Sequence, residues 1–587
     1  MKFPYLRPLP QTHVTTAVFP GYDHRRQIPD GAMYETKNLT TERFPALASR
    51  APRGLVRTLT TPEGLAAKDA LLWIDGGTLW INGQETPLTG LASGEKQLVS
   101  MGAYLCVFPD KVYFNTEDWS DRGSMEAAYE SSGSVSFAPC RADGSDYESL
   151  SVGDTEPEDT DVELWICTAG GTRTAMSYSA AAGGWVEAGA VFTRLSFTSQ
   201  GQIPALFSEG DGVTIAGAAF AEANGEKILY AVGGCGETGR EQADFAVVVG
   251  LLDEALVQTE GKVTIERRVP DLDYVCEAGN RLWGCFYGES GGTVLNEIYA
   301  CALGDFKNWR QYRGLSTDSW AASVGSDGRW TGAVNYLGSP CFFKENRIHE
   351  VLVSATGAHR LQETVCRGVQ QGCAKSLVVV NETLFYKARG EVCAWQGGFP
   401  QGVGAALGEA RYDSAAGGAC SGRYVLSMRG ENGAWNLFVY DIDRGLWCRE
   451  DALHVLQFAE SGGELYALDA DTGALLALHG RAGTPEQSVA WEAVGGEQSY
   501  VDPERKTLSR YNIRARLAPG AQATVYLEYD GSGVWVESGT LSRGGLGTTL
   551  LPVRPRRCDH LRMKLAGTGP AEILSVTRVL ETGSDVP

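Results

Sequence analysis

The side chains in this sequence best suited to chemistry are paired carboxylates: Asp271 with Asp273, Asp441 with Asp443, and Asp469 with Asp471. Two acids at a fixed separation beside aromatic platforms could protonate and attack a glycosidic bond. Each pair falls at or beside a turn signal, where aspartate favours bonds to nearby backbone, so a turn role is the expectation for all three.

No other catalytic pattern stands out. The seven histidines, His13, His24, His349, His359, His454, His479 and His560, show no spacing that builds a metal cluster. No Gly-x-Ser-x-Gly elbow marks a nucleophile, and no phosphate-cradling loop or dinucleotide-binding glycine pattern follows a strand and opens a helix. Ser326-Asp-Gly-Arg-Trp330 is superficially similar to the aspartate-box turn of sialidases, but its spacing differs and it occurs once. The nine carboxylates between Asp143 and Glu163 lack the rhythm of a calcium loop and read as a solvated acidic surface. Fourteen cysteines are scattered through apolar runs such as those around Cys106, Cys285, Cys341 and Cys393, which predicts buried thiols acting as small hydrophobes. No cofactor and no metal are expected.

The formal net charge of −21 disfavours nonspecific attraction to phosphate backbones or anionic membranes. Two basic clusters interrupt it. Arg25, Arg26, Arg43, Arg50 and Arg53 lie near the start, and Arg554, Arg556, Arg557 and Arg562 near the end. Neither is dense enough for more than a few phosphate contacts, so these arginines are the interaction candidates for carboxylates on a neighbouring copy.

The elements that would position such groups are strands. Between Asn280 and Gly480 a phrase recurs at intervals near 40 residues: a small polar turn, an apolar run, a second turn and another apolar run. Examples begin at Asn280, Gly338, Asn381, Gly422 and Gly463, and two earlier copies lie at Leu71–Ile81 and Ala103–Phe114. This is the pattern of a β-propeller with about seven blades, six to eight being possible. The 73 glycines, nearly twice the roughly 7% average, fit a turn-dense all-β chain.

The predicted organisation is an extended, proline-punctuated N-terminal arm over 1–55, first propeller blades over 56–124, and an inserted β-domain over 125–265. The remaining blades follow over 266–487, and a C-terminal β-sandwich over 488–587. In the last region, alternation over Leu508–Leu517 places Arg510, Asn512, Arg514 and Arg516 on a wet face and Tyr511, Ile513, Ala515 and Leu517 on a core face. No run approaches the roughly 18 apolar residues of a membrane span. The start lacks a signal-peptide stretch, so synthesis and solubility in the cytosol are expected.

The phrases Ile28–Leu39 and Phe44–Arg50, with Asn296–Trp309, Gly314–Trp320 and Phe342–Asn346, resemble structural proteins of phages and prophages of gut Firmicutes. The architecture also resembles the propeller proteins that seal the head-to-tail channel of short-tailed phages. The resemblance implies a non-enzymatic virion component in the neck or tail, assembled in the bacterial cytoplasm. As connector or tail hub it would form a ring of its own copies, dock adjacent neck and tail proteins, and let DNA pass without specific binding. Two alternatives come from other classes: a receptor- or glycan-binding tail protein, favoured if Trp435 or Trp535 is exposed, and a propeller glycoside hydrolase.

Overall fold

The computed structural model describes residues 11–234, 243–290, 292–354, 357–498, 506–554 and 556–582. The chain is all-β: a seven-bladed propeller, an inserted β-domain and a β-sandwich. Innermost blade strands are Pro62–Ala67, Gln97–Met101, Tyr274–Glu277, Gly332–Tyr336, Val378–Val380, Tyr412–Cys420 and Val455–Ser461. Consecutive innermost strands touch around the ring, with the helical turn Ala374–Ser376 completing the contact at the fifth blade. Val455–Ser461 returns against Pro62–Ala67 and closes the wheel.

The recurring turn of the sequence is the hairpin between the first and second strands of a blade. In four blades it is a two-residue loop with both residues at positive φ: Leu337-Gly338, Asn381-Glu382, Ser421-Gly422 and Gly462-Gly463. Loops of that handedness match the twist of the strands they join, which is why Gly and Asn recur there. The apolar run that follows is the second strand, buried on both faces by neighbouring blades. Trp283, Trp330, Trp395 and Trp447 are among the largest fully buried side chains, each contributing about 2–3 kcal/mol by burial.

The expected arm over 1–55 is corrected by the structure, apart from its first ten residues, which lie outside the described set. Gln11–Thr16, Leu39–Thr40 and Leu47–Ser49 enter one sheet of the terminal sandwich, and Met33–Lys37 enters the other. Gly54–Thr58 then forms the fourth strand of the last blade, paired with Ala474–Ala477. Pro20, Pro29, Pro45 and Pro52 fall between these short strands rather than within them, so they remove no ladder bond.

The sandwich joins these strands to Ala490–Gly495, Lys506–Leu517, Gln522–Tyr529, Val536–Leu541, Gly545–Pro552, Leu561–Thr568 and Ala571–Thr582. Tyr511, Ile513, Ala515 and Leu517 are buried in its core, while Arg510, Arg514 and Arg516 are exposed. The inserted domain is anchored by the pairing of Ala127–Glu130 with Thr264–Arg267 and contains three sheets.

Candidate functional site at the channel mouth

The innermost strands enclose a cavity of about 720 Å³ at one end of the propeller channel, within the range that takes a small ligand. Glu95 and Gln97 come from the second blade, Tyr274 from the third, Lys375 from the fifth, Arg429 and Trp435 from the sixth, and His454 from the seventh. A second cavity occupies the other part of the channel and shares Lys375 and Gln457 with the first, so these two residues stand at the partition between them.

The floor is held by bonds across blades. Lys375 Nζ donates to the Leu456 carbonyl at 2.9 Å and pairs with Glu95 Oε1 at 2.7 Å. Gln457 Oε1 accepts the Leu65 N–H at 2.5 Å while its Nε2 donates to the Lys96 carbonyl at 3.0 Å. Gln97 spans the second and third blades in the same manner, through the Asp273 carbonyl and the Val275 N–H. Burial pushes the Tyr274 hydroxyl up to about 12, so it stays a neutral donor at ordinary pH.

The rim is different. Trp435 and His454 stack with ring centroids 3.8 Å apart and planes 12° from parallel. His454 Nδ1 lies 2.8 Å from Asp471 Oδ1, which orients the imidazole. Arg429 stands directly across the hairpin ladder from Trp435 and is fixed by two bonds to Asp413, at 2.8 and 3.0 Å. Those bonds hold the Asp413 carboxyl below its ordinary range and push the exposed Arg429 up. Trp435 and His454 are half-buried and Arg429 is exposed. A flat aromatic ledge therefore sits beside a cation with donors to spare. Among the described lining residues, Glu95 is the only carboxylate.

The carboxylate pairs of the sequence perform local work. Buried Asp441 accepts from Thr41 Oγ1 at 3.0 Å and from Arg444 at 2.7 Å, while Asp443 is exposed. Asp469 accepts the backbone N–H of Asp471 and the hydroxyl of Thr472. Asp271 pairs with Lys111 at 2.8 Å, and Asp273, pushed up by burial, accepts the Tyr287 N–H. Within Ser326–Trp330, the Ser326 hydroxyl lies 3.1 Å from His349 Nε2, and Glu363 meets the same nitrogen at 3.3 Å. Both partners share one nitrogen, so no Ser-His-acid relay is built there. Among the described residues no cluster suited to a metal ion is present, and every described cysteine is a free thiol.

The candidate arginines other than Arg554 meet groups of their own chain. Arg25 pairs with Asp23 and Arg26 with Glu409. Arg43 pairs with Glu572 at 3.5 Å. Arg50 binds Glu486 through both terminal nitrogens, and Arg53 binds Glu450 and Asp451, each at 2.6 Å. Arg556 lies over Tyr529, Arg557 is in a short strand against Lys506–Leu517, and Arg562 pairs with Glu528. Arg554 is exposed. Sequence reading named Trp435 for its exposure but missed His454 and Arg429, because their neighbours are set by blade packing rather than by spacing.

No protein-family model matches the chain, and no curated protein matches it. Its fold was compared with solved structures. An exo-β-1,3-galactanase from Phanerochaete chrysosporium shows 10% identity and a TM-score of 0.21, covering 52% of this chain and 94% of that one. A glycoside hydrolase family 43 arabinoxylan arabinofuranohydrolase from Bacillus subtilis shows 10% identity and a TM-score of 0.20 over 53% and 94%. Trypanosoma rangeli sialidase shows 11% identity and a TM-score of 0.23 over 97% and 95%. These are carbohydrate-active enzymes, and none is a phage structural protein. That finding corrects the expectations of kinship with phage neck and tail proteins, of a virion component, and of a non-enzymatic chain. At such identity and TM-score no substrate and no residue role passes from these proteins to this one.

Proposed function

We propose that this propeller binds carbohydrate at the channel mouth. The observation that supports the reading is the Trp435–His454 ledge, with Arg429 across the hairpin from it, at the rim of the 720 Å³ cavity. Aromatic faces receive the C–H faces of a pyranose, and fixed cationic and amide donors receive its hydroxyls. Arg429 is already oriented by Asp413, so little side-chain entropy is lost when it binds. The floor formed by Lys375, Glu95 and Gln457 limits how deep a sugar can enter, which suits a chain end or a short oligosaccharide.

The test is a glycan-array screen of the whole chain followed by calorimetry on the best sugar, with Trp435→Ala and Arg429→Ala as variants. Trp435→Ala is expected to weaken binding at least about tenfold, a loss of about 1.4 kcal/mol. Absence of any bound sugar, or unchanged binding by Trp435→Ala, overturns the proposal. The same mixtures, assayed for new reducing ends, report whether the bound sugar is also cleaved.

A further inference from the structure

A second platform lies on the terminal sandwich, in a different part of the chain from the channel. Strand Leu561–Thr568 alternates, burying Leu561, Met563 and Leu565 in the sandwich core and turning Arg562 and Lys564 to the outer face. Tyr526 stands directly opposite Lys564 on the neighbouring strand. Trp535, in the segment that precedes Val536–Leu541, reaches back over both cations. Its ring centroid is 5.0 Å from Lys564 Nζ and 5.7 Å from the Arg562 guanidinium carbon. Lys564 also lies 5.1 Å from the Tyr526 ring, and Arg562 lies 5.3 Å from that of Tyr34. Tyr34, Tyr526 and Trp535 are all half-buried.

The two cations differ in how they are satisfied. Arg562 pairs with Glu528 at 3.4 Å, leaving part of its five-donor fork unused. Lys564 meets only aromatic rings, and among the described residues no carboxylate lies within ion-pair distance of it. A cation resting on ring faces keeps its charge and its place. In a chain of net charge −21, such a lysine is a point of attraction for an anion.

We infer that this face binds an oligosaccharide of uronic acids, with a pyranose ring against Trp535 and Tyr526 and its carboxylate on Lys564, assisted by Arg562. The aromatic rings around Lys564 favour a sugar over an acidic peptide, because ring faces offer area for C–H faces at little entropic cost. A carboxylate on the sugar supplies the ammonium with an ion-pair partner that a neutral sugar lacks. This site does not depend on the channel mouth.

Calorimetry of the full chain with trigalacturonate, neutral galactotriose and a poly-glutamate peptide tests it. Trigalacturonate is expected to bind, and the neutral trisaccharide and the peptide at least about tenfold more weakly. Lys564→Gln should weaken the acidic sugar about tenfold and Trp535→Phe less, both with unchanged thermal midpoints, while Trp435→Ala leaves this binding intact. Equal binding of acidic and neutral sugars, preference for the peptide, no binding, or loss through Trp435→Ala each overturns the inference.

Discussion

The arginines of the N-terminal segment and Arg429 at the channel mouth show how one residue type can serve opposite ends. Arg53 is 3% exposed and gripped by two carboxylates of the sixth-blade edge, and Arg50 is 7% exposed and gripped by Glu486. Together with Thr36, whose hydroxyl donates to the Arg449 carbonyl, they fasten the sandwich to the wheel. Arg429 is just as firmly oriented by a single aspartate, yet it faces water and an aromatic ledge. Burial locks Arg50 and Arg53 onto carboxylates of their own chain; exposure leaves Arg429 available for a ligand.

The contrast is sharpened most by Arg53→Ala. Removing the guanidinium leaves Asp451 without its cation and Glu450 with only Arg50, 3.8 Å away, at an expected cost of about 3 kcal/mol, read as a drop in denaturant midpoint. Leu55→Pro strikes the strand that closes the last blade between Ala474–Ala477 and Thr484–Pro485. A lost ladder bond and ring clash should cost about 1–3 kcal/mol, visible as early exchange of amides in that blade. Arg429→Ala should change stability by less than about 1 kcal/mol, as befits an exposed pair, while altering sugar binding. A large stability loss at Arg429 with none at Arg53 would reverse the comparison.

A smaller effect concerns pH. Burial, opposed by Glu363 and reinforced by Lys344, pushes His349 down to about 4. The unfolded chain therefore takes up this proton first as pH falls. The stability held by neutral His349 is complete above about 6.5 and is lost as pH drops toward 4. His349→Gln should flatten the stability profile across that window; an unchanged slope would show that other groups govern it.

The wheel was legible because its signal is local. A turn needing positive φ, followed by a strand buried on both faces, recurs from blade to blade and survives in residues such as Asn381 and Gly463. Alternation over Leu508–Leu517 likewise specified a sandwich strand face by face. The N-terminal segment was misread for the opposite reason. Except for Leu39–Thr40, its strands pair with residues more than 400 positions away, and nothing in their own composition marks a partner. The ledge was half legible: Trp435 stood out, but His454 stacks on it from another blade. The resemblance to phage structural proteins rested on phrases that lie in strands and turns of the scaffold.

Hydrogen exchange read by mass spectrometry, with and without the sugar selected on the array, tests the central claim most directly. The account expects protection concentrated in peptides spanning Arg429–Trp435 and His454–Gln457, with little change where Arg50 and Arg53 are locked. Protection confined to other blades or to the inserted domain, or none at saturating sugar, would contradict it.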